Sequence, residues 1–202
     1  MTRTQSISIL ALMWTAWCFM HSLLISRGFA DRMKNILGRR YAYYRLAYTL
    51  FSIFSLMPVI YFQLNIAEKV IFAWPWPWYL MKYGMYAGAF LLFYGGFRVY
   101  DLQYMLGIKQ IHAMGHGGNN ATMGFTTAGI LGYVRHPWYS AAILLVLAFG
   151  VVTDVSLVSK AVLTGYIIIG TLLEEQKLIH EIGAPYLAYR KKVPMFIPWK
   201  KG

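Results

Sequence analysis

Acidic residues and cysteine are both scarce in this chain. Seven Asp and Glu stand among 202 residues, against 19 Lys and Arg, and Cys18 is the one cysteine. A single thiol excludes an intramolecular disulfide framework. Cys18 lies inside an apolar block, where a packed thiol is expected, and Trp17 before it argues against a lipoprotein cleavage site. Charged residues of both signs reach 13 %. A soluble domain carries about 25 %, so roughly half the usual charge is missing. No repeat period of the solenoid architectures is visible, and no nucleic-acid motif accompanies the net charge of +12.

What is present instead is apolar sequence in long blocks, 58 % hydrophobic overall with 17 % aromatic. The blocks predict an all-α integral membrane protein with about five transmembrane helices, since some 20 apolar residues cross a bilayer. The first span is expected over residues 7–26, longer than a signal-peptide core and therefore retained. The second is expected over 46–66, entered through Tyr41, Tyr43, Tyr44 and Tyr48 at headgroup level. The two prolines in Trp74-Pro75-Trp76-Pro77-Trp78-Tyr79 exclude a helix interior there and leave an interfacial connection. The third span follows over 80–100, where Gly84 and Gly88 form a small-xxx-small pair suited to close helix approach.

Residues 138–173 carry only Asp154 and Lys160 as charges and are too long for one span. They predict a hairpin turning near Thr153 to Ser156, with somewhat short arms. The tail from Glu174 reads as an amphipathic basic helix. With the N-terminus outside, 15 of the 19 basic residues fall on the near side, leaving Arg3, Lys69, Lys82 and Lys160 on the far side. The positive-inside rule then places the 101–137 loop and the tail in the cytoplasm, with the bilayer rather than nucleic acid as partner. A single domain over 1–202 is expected, with its cofactor-binding part over about 101–202.

Two strings carry candidate chemistry. In Gly132-Tyr133-Val134-Arg135-His136-Pro137-Trp138-Tyr139 the proline suits the first turn of a helix, placing Arg135 and His136 at its start. Cationic side chains and unpaired helix amides together make an anion site; the alternative is an Arg snorkelling to headgroups and a His filling a cap position. The second string is Glu174-Glu175, two acids in a basic region. Neighbouring helical positions point about 100° apart, so one carboxylate is free for an ammonium while the other pairs with Arg or Lys. The alternative is a surface ion pair of little consequence. An anion site beside an acidic helix end suits a zwitterion such as the amino-acid end of S-adenosylmethionine.

His21 lies near the inner end of the first span, where an ionisable group is a functional candidate. It is read as orienting or deprotonating a substrate, or else as bonding a backbone carbonyl. His112 and His116 have metal-ligand spacing only if helical. Gly115, Gly117 and Gly118 argue against a helix there, and no third ligand is in view, so no metal is expected. No Gly-Lys-Ser/Thr follows those glycines, which leaves them a weak phosphate-loop signal.

Arg135-His136-Pro137-Trp138-Tyr139 resembles the Arg-His-Pro-x-Tyr motif of the membrane methyltransferase superfamily that includes isoprenylcysteine carboxyl methyltransferase. Glu174-Glu175, Gly183, Tyr186, Tyr189, Val193-Pro194 and Pro198 are similar to that family's C-terminal pattern. The N-terminal half resembles a bacterial branch with methanethiol S-methyltransferase and NnrU-like proteins, through His21-Ser22-Leu23-Leu24, Tyr44-Arg45-Leu46, Tyr100-Asp101 and Leu106-Gly107-Ile108. Ser140-Ala141 departs from the family, which often has a glycine there.

The resemblance implies that Arg135, His136, Tyr139 and Glu174 or Glu175 hold S-adenosylmethionine, with Tyr133 and the backbone near Gly132 enclosing its adenosine. It further implies methyl transfer to a small thiol or other lipophilic nucleophile, with His21 and Arg135 as candidate catalytic groups, in a bacterial inner membrane. The open alternatives are an NADPH-dependent reductase of the same fold neighbourhood, a non-catalytic accessory protein and a small transporter.

Overall fold

The computed structural model describes residues 1–115 and 125–198; His116 and the Gly-Asn stretch that follows it lie outside them. The protein is mostly helical. In chain order it comprises α1 (Arg3–Ile25), α2 (Arg27–Leu37), α3 (Tyr44–Leu64), strand β1 (Val70–Phe72), α4 (Trp78–Phe97), α5 (Leu102–Met105), α6 (Ile108–Gly115), α7 (Pro137–Ala148), strand β2 (Val152–Thr153), α8 (Asp154–Ile182) and α9 (Ala184–Lys192). Short 3-10 turns cover Gly38–Tyr43 and Gly129–Gly132.

Among the described residues three helical stretches are long and apolar enough to cross a membrane: Arg3–Ile25, Arg27–Leu64 and Asp154–Ile182. The helix expected as the fourth span is the twelve-residue α7. Twelve residues rise about 18 Å, short of the ~30 Å hydrocarbon core. The helix containing His112 does run to Gly115, further than the glycines suggested, and the expectation for His116 lies outside the described residues.

The chain divides into two compact units, Met1–Ala67 with Asp101–Met123, and Glu68–Tyr100 with Gly124–Gly202. In the first, α1 opens with a capping box, Thr2 with Gln5. The indoles of α1 then find acceptors on α3: Trp14 Nε1 donates to Gln63 Oε1 at 2.9 Å and Trp17 Nε1 to Ser55 Oγ at 3.2 Å. In apolar surroundings such pairs are what a buried indole N–H requires.

In the second unit α4 packs on α7 through a cluster of Ala89, Leu92, Val134 and Ala141. The expected pair is half used, Gly88 lying against Leu144 of α7, and the closest approach falls further along α4. A Cβ at Gly96 would collide with the Trp138 indole and one at Gly95 would come within 2.9 Å of Ile130, whereas Gly84 faces open space. The expected hairpin turn between α7 and α8 contains β2, which pairs antiparallel with β1, Val70 opposite Thr153 and Phe72 opposite Val152. Thr153 then caps α8 in a box with Ser156, so the turn residues also start the longest helix.

Candidate functional site

The Arg135-His136-Pro137 string begins α7, with Pro137 in the first turn and His136 as an N-cap whose side chain makes no capping bond. Its backbone does something the sequence did not reveal. Arg135 N–H donates to the Pro194 carbonyl at 2.9 Å and His136 N–H to the Met195 carbonyl at 3.2 Å. Arg135 Nη1 adds a 2.5 Å bond to the Val193 carbonyl. The C-terminal Val-Pro segment is therefore strapped across the start of α7.

At the centre stands Glu175, 2 % exposed. Arg135 meets it through two parallel bonds of 2.9 Å, from Nε to Oε1 and from Nη2 to Oε2. His136 Nε2 donates to Oε1 at 2.8 Å, the Tyr186 hydroxyl donates to Oε1 at 2.6 Å, and Arg190 Nε reaches Oε2 at 2.8 Å. Five contacts fill the roughly four lone-pair positions of a carboxylate, so this group has no acceptor capacity left. The His136 bond also assigns that ring as the Nε2–H tautomer, because an ionised carboxylate only accepts.

The neighbouring tyrosines feel the cluster. Burial and the Glu175 carboxylate hold the Tyr186 phenol well above the usual range. Burial pushes Tyr189 up to about 12, the Arg135 charge opposing and the Glu175 charge assisting; its hydroxyl donates to the Leu131 carbonyl at 2.6 Å.

Glu174 points elsewhere, as the 100° offset requires. It is half-buried, bonded to the Tyr139 hydroxyl, with the Tyr100 hydroxyl near enough to feel its charge. The Tyr139 ring in turn stacks on His136, with centroids 5.7 Å apart. So Arg135, His136, Glu175, Tyr139 and Glu174 come together. Tyr133 does not join them: it is exposed, and Gly132 ends a 3-10 turn. Arg190 was missed, since a Lys/Arg run at a C-terminus reads as membrane topology. Its signal was position: it follows Tyr186 by four residues, one helical turn.

In the first unit His21 lines a cavity of about 320 Å³ with Trp17, Tyr48 and Ser52. Ser52 Oγ donates to the Tyr48 carbonyl at 2.9 Å, so it accepts from His21 Nδ1 at 3.2 Å. The Tyr48 hydroxyl then donates to Nε2 at 2.8 Å. Of the other residues quoted for the bacterial branch, all but Tyr100 fall in the same unit. The Arg45 guanidinium lies over the Tyr104 ring, and Gly107, at φ +84°, leaves room for the Arg45 side chain. Asp101 caps α5 and pairs with Lys109, which holds its carboxyl below the usual range. Among the described residues no three His, Cys, Asp or Glu groups are placed to hold a metal.

Comparison with known proteins gives a consistent result. Methanethiol S-methyltransferase 1 of Bradyrhizobium diazoefficiens is 34 % identical over 116 residues, 57 % of this chain and 40 % of that relative. The methanethiol S-methyltransferase of Crocosphaera subtropica is 33 % identical over 95 residues, 47 % of this chain and 37 % of that relative. That of Mycobacterium tuberculosis is 28 % identical over 95 residues, covering 47 % and 39 %. The chain thus spans about two fifths of the length of the curated relatives it matches. No protein-family model and no solved structure matches it. The chain is similar to the methanethiol S-methyltransferase branch that its N-terminal residues resemble.

Proposed function

We propose that this chain, similar over its matched stretch to methanethiol S-methyltransferases, is an integral membrane S-adenosylmethionine-dependent methyltransferase for a small thiol or another lipophilic nucleophile. The observation that carries the reading is the charge arrangement where α7 begins and α8 ends. Arg135 and Arg190 face one carboxylate, Glu175, which leaves one positive charge in surplus. One residue away Glu174 supplies a half-buried negative charge beside the Tyr139 ring. A carboxylate on one side and a cation on the other complement this pair, and aromatic faces favour sulfonium and ammonium groups.

The donor set therefore fits S-adenosylmethionine, with the roles divided more finely than the resemblance implied. Glu175 and Arg135 tie the site together. Glu174 and Tyr139 would hold the cationic part, and Arg190, with guanidinium hydrogens left over, would hold the carboxylate. His136 orients Tyr139 by stacking. When bound, the cofactor supplies a methyl group already activated on sulfonium, so the protein's work is alignment and exclusion of water.

His21 is the candidate base for the acceptor. Its Nε2 accepts a hydrogen bond from the Tyr48 hydroxyl, so a substrate thiol would pass its proton to the Tyr48 oxygen as the Tyr48 proton moves to Nε2. A thiol with pKa near 8.5 needs little further help. The rest of the reading is a single methyltransferase-like domain with five spans, in a bacterial inner membrane. Its N-terminus lies outside and its C-terminus in the cytoplasm, supported by the basic-residue asymmetry.

Calorimetry on detergent-purified protein tests the cofactor. S-adenosylmethionine and S-adenosylhomocysteine should bind, and Glu174→Gln should weaken S-adenosylmethionine about tenfold while sparing the uncharged-sulfur product more. Absence of binding to folded protein overturns the reading. Methyl transfer to methanethiol, lost in His21→Ala, tests the acceptor assignment separately.

A further inference from the structure

The end of α8 remote from Glu175 carries a feature that methyl transfer does not use. Within the second unit a cavity of about 690 Å³ opens beside β1, α4, the end of α7 and the first turns of α8. That volume falls in the ~300–1,000 Å³ range of small-molecule sites. Thr164 on its wall lies eleven residues before Glu175 on α8, about 16 Å along the axis. It is a separate place.

Its lining is apolar, with Phe72, Met81, Met85 and Leu157 among the residues, yet two of the lining residues each keep a buried side-chain atom without a hydrogen-bond partner, Trp74 Nε1 and Thr164 Oγ1. Among the described residues Gln110 Oε1 is the one other side-chain atom in that state. Buried unpaired groups are costly, and two on one wall ask for a ligand. Trp74 also holds φ 55°, a left-handed backbone that a bulky residue avoids and that tends to persist at ligand sites.

Lys160 sets the electrostatics of the wall. Its ammonium donates to the carbonyls of Val146, Leu147 and Phe149 at 2.7, 2.9 and 2.8 Å. Those bonds take all three of its hydrogens. It contributes positive potential without an open donor. The cavity thus offers one indole N–H, one hydroxyl and no acid, the complement of a neutral carbonyl oxygen on an apolar chain. Trp74, Trp76 and Trp78 mark this as interfacial depth, where lipid ester groups lie.

We propose that this cavity holds one acyl chain of a membrane glycerophospholipid, its ester carbonyl accepting from Trp74 Nε1 and the Thr164 hydroxyl. The site stands independently of methyl transfer.

Gly165 lines the cavity and a Cβ there meets nothing within 4 Å, so Gly165→Leu fills the space without a backbone clash. Protein delipidated in detergent and re-exposed to phosphatidylcholine is weighed by native mass spectrometry. The wild type should keep one phospholipid per chain and Gly165→Leu none, with lipid-free melting temperatures alike. Trp74→Phe should weaken retention about three- to tenfold, one net hydrogen bond. An ether-linked analogue forfeits both bonds, so it should show a larger loss than that in the wild type and only the Thr164 share of it in Trp74→Phe. Equal retention by wild type and Gly165→Leu overturns the proposal, as does an ether analogue held as tightly as the ester. Retention of a fatty-acid methyl ester but not of phospholipid overturns the assignment to a membrane lipid.

Discussion

Helix α8 is polar at two places, and the two are managed in opposite ways. Around Glu175 every acceptor position is filled, by two arginines, a histidine and a tyrosine. Around Thr164 two polar atoms stand without partners against an apolar wall. The contrast separates structure from recognition. A saturated buried carboxylate is a tie between α7, α8, α9 and the C-terminal strap, however much its sequence context suggests a ligand. In the functions proposed, recognition falls to groups with capacity left: Glu174 and Arg190 at one end, Trp74 and Thr164 at the other.

Breaking the saturated end should have the largest effect. Glu175→Gln keeps the shape and removes the charge, leaving Arg135, whose side chain is 7 % exposed, without its counter-ion. Loss of one partner from a buried pair costs about 3–5 kcal/mol. Thermal unfolding in detergent should show a large drop for this variant. Glu174→Gln, half-buried and outside the strap, should cost less than about 1 kcal/mol. Equal destabilisation by the two substitutions contradicts the division of roles between adjacent acids.

A smaller effect should appear at alkaline pH. Tyr189, buried beneath the strap, is pushed up to about 12, mainly by burial. In the unfolded chain a tyrosine titrates near 10. Between those values the unfolded chain has released a proton that the folded chain keeps, so stability is full below pH ~10 and falls as pH rises toward 12. Tyr189→Phe should cost about 1 kcal/mol at neutral pH through the lost bond to Leu131, and should flatten the alkaline fall. An unchanged alkaline slope in that variant would move the titrating group elsewhere, with Tyr186 next in line.

Much of this was legible in the sequence. Apolar blocks foretold where the long apolar helices lie, because hydropathy is a local property, while three candidate spans stand among the described residues against the five expected. The Trp-Pro repeat and the Thr153 turn were legible for the same reason. The Arg-His-Pro and Glu-Glu strings identified which residues meet, but not that Glu175 is consumed by the meeting. A helix offset of 100° says that two neighbours differ in direction, and only packing says which one faces inward. The strap was invisible, since it uses backbone groups of Val193, Pro194 and Met195 that any residues could supply. Of the Gly84–Gly88 pair only Gly88 meets α7, through Leu144, because the large partner, Trp138, sits further along α4 against Gly96. The lipid cavity had no sequence signal, because an unpaired polar atom is a property of its surroundings.

The finest test of the contrast makes one chemical change at two threonines of the same helix. Thr171 is fully buried and its hydroxyl donates to the Ile167 carbonyl at 2.7 Å, whereas Thr164 has no partner. Threonine to valine removes a hydroxyl and nearly keeps the shape. At position 171 it deletes a made bond, while the Ile167 carbonyl keeps its helical partner, so the loss should be about 0.5–1 kcal/mol. At position 164 it deletes an unmade one, so lipid-free protein should be unchanged or stabilised by up to about 1 kcal/mol. Melting curves of lipid-free and phospholipid-loaded protein read both. Thr164→Val should lose its advantage once lipid is added, because the hydroxyl then has an oxygen to bond. A lipid-free loss at 164 as large as at 171 would mean that Thr164 is already satisfied, and that the two ends of α8 are built alike.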